Sequence, residues 1–493
     1  MKKLLVAGTF LFLSVAAMPN PGNLRAFFSY TTFRSPEHGP YIETYLSVLG
    51  KSVQYVHKDN GKFQGSILVT MLFKQNDSIR DFRKYELFSP EVDDTTVINF
   101  SFLDQQRVAL PNGKYDLDIS ISDKNREMKP FLVTDQFELN YPNEQAAISG
   151  IQLIESFTRV EKPGMLTKSG YDFIPYLDNF YPAAVNKLTF YTEMYDLARL
   201  LGADEKFIVA TSIESFETGK VIKDNLRMKR EDVKPVNVVF SEFDISNLPS
   251  GNYNLVVAAR NKENKEIIRN SMFFQRSNPS LKYDLNDLSS IDIQNSFVSA
   301  YTNPDSLREF IRMCFPIASS SEKLFINTQL NIASLETMQR YFLSFWQSKA
   351  PENPSGAWQK YYIQVLAVND EFKTSIKKGY ETDRGRVYLQ YGPPNSRVQE
   401  YNEPRAYPYE IWQYYKIGSQ TNRKFVFYTR DYSSRDFDIL HSDVLGELYN
   451  ARWEVELHKR DTDRYTSNPQ DIERTGEDDY YGGRSRDLWD NPR

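Results

Sequence analysis

Residues 379–394 read GYETDRGRVYLQYGPP, and this stretch sets Glu381 and Asp383 beside Arg384 and Arg386, with a further carboxylate, Glu410, in the next strand-like segment. Paired carboxylates in unlike environments carry out acid–base hydrolysis of glycosides, and an arginine beside them can hold an anion. A carboxylate-dependent hydrolase is therefore one reading of the stretch. The rest of the chain gives it no support. There is no P-loop, no Rossmann glycine pattern and no GxSxG elbow, and His38, His57, His441 and His458 are scattered without metal-ligand spacing. No catalytic residue, cofactor or metal ligand is assigned.

A structural reading asks less of the same residues. Thr382 or Asp383 can accept backbone N–H bonds in a loop, Asp383 can pair with Arg384 or Arg386, and Gly379 and Gly385 let the backbone bend around Tyr380. Three helices are predicted ahead of this corner. Asn303 caps the first at Pro304, with Leu307, Phe310, Ile311 and Cys314 on one stripe, which makes Cys314 a buried structural thiol. The second starts near Ser334 and carries Leu335, Met338, Phe342, Phe345 and Trp346; the third carries Trp358, Tyr362, Val365, Val368 and Phe372. Beyond the corner, RVYLQY reads as a strand with Val387, Leu389 and Tyr391 on one face and Arg386, Tyr388 and Gln390 on the other, stopped by Gly392, Pro393 and Pro394. With YEIWQYY from Tyr409 and KFVFYT from Lys424 it would form a small antiparallel sheet, so residues 279–448 are expected to be an α+β domain. Residues 449–493 are rich in charge, Gly and Asp and poor in aliphatics, and read as a disordered tail in which Trp489 is a lone aromatic able to dock.

The upstream chain is strand-like. Ile67, Val69, Met71 and Phe73 alternate, as do Ile98, Phe100 and Phe102, and Asn60-Gly61 marks a hairpin. LPNGKYDLDI from Leu110 and LPSGNYNLVV from Leu248 share Leu, Pro, Gly, Tyr and Leu, and the same shift carries Ile98, Phe100 and Phe102 onto Val236, Val238 and Phe240. Pro111 and Pro249 fix φ, Gly113 and Gly251 supply positive φ, and Tyr115 and Tyr253 sit where a tyrosine bonds back to a sandwich corner. The duplication predicts two tandem immunoglobulin-like or fibronectin-like β-sandwiches, residues 24–144 and 145–278.

Lys2 and Lys3, the apolar run LLVAGTFLFLSVAA and the polar MPNPGN make residues 1–17 an expected signal peptide, with Val15 and Ala17 before the cut. The protein is thus expected to be exported, to the periplasm or the outer membrane. Cys314 is the only cysteine, so neither an N-terminal lipid nor an intrachain disulfide is expected. No second run is long enough for a transmembrane segment, and a net charge of −5 without a basic run excludes nucleic acid as a partner. The 33 Phe and 32 Tyr leave glycan binding open as an alternative, because aromatic surfaces stack sugars.

GYETDRGRVYLQYGPP resembles the signature of the GWxTD-domain family, exported proteins of Bacteroidetes and related bacteria. FLSFWQSK and QKYYIQVLAVNDEF before it and PYEIWQYY after it resemble the family in order and spacing, and so do PYIETYL from Pro40 and SGYDFIPY from Ser169 in the upstream part. Tyr380 stands where the family has tryptophan. The resemblance implies a class without an assigned activity. Taken together, the expectation is a non-enzymatic exported protein in which β-sandwiches space and present a GWxTD domain to other envelope proteins. The alternatives are a glycan-binding protein or a hydrolase of envelope glycans.

Overall fold

The computed structural model describes residues 13–14, 24–460 and 484–492, apart from 77, 128–129, 143–144, 163, 165–166, 217–218, 280, 282–290, 295, 419 and 432. The expected signal peptide, save Leu13–Ser14, and residues 461–483 of the expected tail lie outside the described residues. The chain divides into two units, one ending at Pro279 and one beginning at Ser280.

The first unit holds two β-modules. In the first module, β1 (Ala26–Ser35), β2 (Gly39–Leu49) and β5 (Ser101–Ala109) form one antiparallel sheet; β4 (Ser78–Phe88), β3 (Phe63–Gln75), β6 (Gly113–Asp123) and β7 (Phe131–Leu139) form the other, in that order. Ile67, Val69, Met71 and Phe73 are wholly buried between the sheets with Ile42, Leu46 and Val48, as period two requires. Asn60-Gly61 turns the chain into β3, with Gly61 at φ 82°.

The second module repeats this order. β8 (Gln152–Arg159), β9 (Tyr171–Pro175), β10 (Lys187–Tyr195) and β13 (Val236–Asp244) make one sheet; β12 (Val221–Asp232), β11 (Lys206–Ser215), β14 (Gly251–Arg260) and β15 (Glu266–Arg276) make the other. The tyrosine corners match closely. Tyr115 donates to the Pro111 carbonyl at 2.8 Å and stacks on Phe137, while Tyr253 donates to the Pro249 carbonyl at 2.9 Å and stacks on Phe274.

One part of the expected register is corrected. Three residues link β5 to β6, and six link β13 to β14, so the duplicated strand ahead of the turn is offset by three residues from the LPxG segment. Ile98 and Phe100 precede the strand, Val238 is 40% exposed, and the buried side chains of β13 are Asn237, Val239 and Phe243. Of the two turn glycines only Gly113 has positive φ.

The PYIETYL and SGYDFIPY segments share an apolar cluster through Tyr41, Tyr171 and Phe173, and Lys168, just ahead of SGYDFIPY, reaches Glu43. Glu43 is fully buried and accepts from Arg107 Nε at 2.8 Å and Tyr45 Oη at 2.7 Å, and Lys168 Nζ lies 3.0 Å from it and 3.5 Å from the centre of the Phe33 ring. Burial alone would raise the Glu43 pKa, but Lys168 and Arg107 hold it below the ordinary value; burial pushes Lys168 down to about 8 against the pull of Glu43.

In the second unit, α1 (Pro304–Met313), α2 (Ser320–Thr328), α3 (Leu335–Lys349) and α4 (Pro354–Phe372) build a helical layer. The Asn303 side chain caps α1 as its sequence predicts. α2 is an addition to the three expected helices, and Ser319 and Glu322 form a capping box at its start. The sheet is β16 (Ser396–Glu400), β17 (Tyr409–Ile417), β18 (Gln420–Tyr428) and β19 (Asp438–Ser442), all antiparallel in that order.

RVYLQY is not the first strand. It belongs to α5 (Asp383–Tyr391), so Arg386 and Gln390 fall on one face, one turn apart, and bond to each other. Its valine and tyrosines favour strand, but the Thr382 cap at one end and Gly392 at φ 86° at the other enclose a helix, and β pairing begins only after Pro393-Pro394.

The sheet has two covered faces. Trp412, Tyr414, Phe425 and Phe427 pack on the helices; Tyr409, Ile411, Val426 and Leu440 pack on α6 (Trp453–Leu457) and α7 (Ser485–Asp490). Both helices come from the expected tail. Leu488 is buried, and Trp489 sits against His441 and Trp453 with its carbonyl bonded to Lys424. The described parts of that segment therefore belong to the fold.

Candidate functional site

The corner begins where α4 meets residues 379–385 at backbone distance. A Cβ on Gly379 would stand 2.1 Å from the Val368 carbonyl oxygen, and one on Gly385 would stand 1.9 Å from the Gly379 carbonyl oxygen and 2.9 Å from Val368 Cγ1. Neither glycine has positive φ. Their role is close approach, a correction to the expected bend around Tyr380.

Thr382 clamps this contact. Its hydroxyl donates to the Gly379 carbonyl at 2.8 Å and accepts from Gly385 N at 3.1 Å, so one side chain ties a single 3₁₀ turn (Gly379–Glu381) to the first turn of α5. Tyr380 is buried. Its N–H donates to Asn369 Oδ1 at 3.1 Å and its hydroxyl to Glu309 Oε1 at 2.9 Å, which anchors the corner to α4 and α1 together. A tryptophan could keep the ring's burial and a donor here, but its donor would lie elsewhere.

The charged residues do not pair as expected. Asp383 Oδ2 accepts from Ile439 N at 2.8 Å and so pins α5 to β19. Arg384 reaches Glu410 Oε1 at 2.8 Å and the Arg435 carbonyl at 2.8 Å, with its guanidinium 4.2 Å from the centre of the Phe437 ring. Arg386 makes a bidentate pair with Glu447 at 2.8 and 2.7 Å, and Tyr391 donates to the same carboxylate at 2.7 Å. Tyr388 packs on Phe372, and Gly392 offers its carbonyl to Tyr414 Oη.

Glu410 is the centre. It is fully buried on the helix-facing side of β17 and accepts from Arg384, from Arg397 Nε at 3.0 Å and Nη2 at 3.2 Å, from Gln399 at 3.3 Å, from Tyr401 Oη at 2.9 Å and from Trp412 Nε1 at 2.9 Å. Burial alone would raise its pKa, but the two guanidiniums outweigh this and hold the carboxyl below its usual range. Arg397 also binds Glu371 at the end of α4, which brings the cluster of two arginines and two glutamates to zero charge.

Of the three carboxylates that sequence singled out, Glu381 accepts from Lys378 N at 2.9 Å, Asp383 from Ile439 N, and Glu410 from the arginines. They are not brought together on one cavity. Arg397, Glu447, Glu309, Glu371 and Asn369 are partners that the sequence does not single out. The one available signal is Glu410 itself, a charge flanked by aromatics in a core strand, which demands a partner.

The histidines are dispersed. His38 and His57 lie in the first module, His441 stacks on Trp453, and His458 Nε2 lies 3.1 Å from Glu403. Among the described residues no group of three or more His, Cys, Asp or Glu is placed to hold a metal. Cys314 is buried and donates to the Phe310 carbonyl; burial pushes its thiol well up.

Fold and corner define an α+β domain whose helices are fastened to an antiparallel sheet by buried ion pairs, preceded in the chain by a duplicated β-module. Residues 286–457 match the family model of the GWxTD domain, and the chain therefore carries a GWxTD domain over that span. No curated protein matches the chain. Among the described residues no helix is long and apolar enough to cross a membrane.

Proposed function

We propose that this is a non-enzymatic exported protein of the cell envelope, associated with the periplasm or outer membrane, in which tandem immunoglobulin-like β-modules act as a spacer for a GWxTD domain that binds other envelope proteins. The observation that carries the reading is the state of Glu410, the best-placed acid. It is fully buried, low in pKa and filled with donors from Arg384, Arg397, Gln399, Tyr401 and Trp412, which suits a structural ion pair and leaves no proton to deliver. The β-modules supply rigid length: Glu43, Arg107 and Lys168 join segments more than a hundred residues apart in a buried cluster.

Pull-down of the protein lacking residues 1–17 from envelope extract tests the reading. Recovery of a stoichiometric envelope protein supports it, and repeated recovery of the bait alone refutes it. The glycan alternative finds less support. Tyr115 and Tyr253 spend their hydroxyls on backbone, and the half-exposed Phe157 meets Tyr171 and Phe240 edge to face, without a flat platform.

A further inference from the structure

One lysine is sealed inside the first unit beside a carboxamide. Lys168 sits just ahead of β9, where its backbone pairs with Tyr171 in both directions at 2.9 Å, and its side chain is only 5% exposed. Its Nζ lies 2.8 Å from Oε1 of Gln152, the buried first residue of β8, and 3.0 Å from Glu43 Oε1 on β2. The Phe33 and Tyr191 rings complete the enclosure, with centres 3.5 and 5.6 Å from Nζ. Since a C=O bond is about 1.23 Å long, any approach angle above about 90° puts the Gln152 carboxamide carbon about 3.1–4.0 Å from Nζ, at or within about 1 Å of attack distance.

Three conditions that let an amine attack a carboxamide meet at this point: closeness to the carbonyl carbon, a readily lost proton, and a base in contact. Burial pushes Lys168 down to about 8 against the pull of Glu43, so roughly a tenth of it is free amine at pH 7. Arg107 Nε holds Glu43 Oε2 at 2.8 Å and helps keep the carboxylate ionised. An ionised Glu43 can accept a proton through Oε1, and for the same reason it is a poor acyl donor to the lysine beside it. Gln152 carries no charge and can release its nitrogen.

We propose that Lys168 and Gln152 join in an intramolecular amide cross-link, with Glu43 as the base. Lys168 Nζ attacks Gln152 Cδ; the Nζ–Cδ bond forms and the Cδ–Nε2 bond breaks. Two of the three protons of the Lys168 ammonium pass by way of Glu43 Oε1 to Nε2, which leaves as ammonium, so atoms and charge balance without an oxidant, reductant or further reactant. Gln152 and Lys168 belong to the second module, whereas Glu43 and Phe33 belong to the first, so the bond forms only once the two modules have packed on each other. It ties the start of β8 to the entry of β9, two points sixteen positions apart. The inference is independent of what the GWxTD domain binds.

Peptide mapping by mass spectrometry tests it. The full chain is purified, unfolded and cut after lysine and arginine, both fresh and after prolonged incubation of the folded protein. Arg159 lies between the two residues, so cutting there separates them unless they are bonded. The expected product is a branched peptide, uncut at Lys168 and lighter by one ammonia than the sum of its two arms. It should be absent from Lys168→Arg and from Glu43→Gln, with circular dichroism showing that each variant is folded. Gln152→Met keeps the ion pair and must also lose the branch, which serves where Glu43→Gln does not fold. Two separate, unmodified peptides from the incubated folded protein overturn the proposal. So does a branched peptide lighter by one water that joins Lys168 to the Glu43 segment, or a branch that persists in folded Glu43→Gln.

Discussion

Gly385→Ala should destabilise the second unit, although it places alanine in a helix. Inside a helix this exchange ordinarily gains about 1 kcal/mol, because glycine loses more backbone entropy on folding. Here the new methyl would meet the Gly379 carbonyl oxygen at 1.9 Å and Val368 Cγ1 at 2.9 Å. The first is backbone and cannot swing aside, so α5 must move away by more than an ångström. Overpacking of this kind costs about 1–3 kcal/mol. Moving α5 also strains the two Thr382 hydrogen bonds, at about 1 kcal/mol each. The net loss is about 2–4 kcal/mol, or about 5–15 °C in Tm for a unit of this size. Tryptophan fluorescence is the assay, since all five tryptophans, Trp346, Trp358, Trp412, Trp453 and Trp489, lie in the second unit and report on it within the full chain. A midpoint equal to or above that of the parent protein would refute the close-approach argument for this glycine.

Other perturbations rank the corner's parts. Glu410→Ala leaves Arg384 and Arg397 without their shared carboxylate and should cost about 3–5 kcal/mol, whereas Asp383→Ala frees only the Ile439 N–H and should cost about 1–3, so fluorescence-monitored urea unfolding must place them in that order. His441 is buried among Tyr449, Trp453 and Trp489, and burial lowers it to about 4; its stability contribution is full above about pH 6.5 and is lost as pH falls toward 4. His441→Gln should flatten that acid limb in a pH series of unfolding midpoints. His458 has the opposite sign: burial lowers it, but Glu403 and the Glu454 carbonyl raise it above the ordinary value, so its contribution is present at low pH and fades as pH rises through the raised pKa. In the first unit, Lys168→Ala leaves Glu43 buried with Arg107 as its one remaining cation and should lower the far-UV circular dichroism midpoint by a margin equivalent to about 3 kcal/mol or more.

Local chemistry is legible wherever a residue answers to its neighbours in sequence. The Asn303 cap, the α3 and α4 stripes, the buried alternation of β3 and the two tyrosine corners all come from spacings of two to four residues. RVYLQY reads as a strand because its β-branched and aromatic residues have strand propensity, while the deciding groups, Thr382 and Gly392, stand outside the hexapeptide. The duplicated strand is misplaced by three residues, since LPxG anchors only the strand after it and the β13–β14 link is longer. The corner's charges and Glu410 stand out in sequence, but which charge pairs with which does not. Glu410 lies 26 positions from Arg384 and 13 from Arg397, and Glu447 lies 61 from Arg386, and no spacing rule reaches that far. The two motif glycines look like turn formers in sequence; only the packed structure shows that α4 touches them.

The return of α7 to the sheet has a consequence for how the protein survives handling. Leu488 and Trp489 are held to Ala406, Ile411 and Trp453 by an intramolecular contact, favoured by the high effective concentration that an unbroken chain provides. A single proteolytic nick between Arg460 and Arg484 would leave every atom of the second face in place at first. It would also turn that contact into a bimolecular one, which weakens on dilution, and on release of the fragment His441 would lose the indole that helps keep it dry.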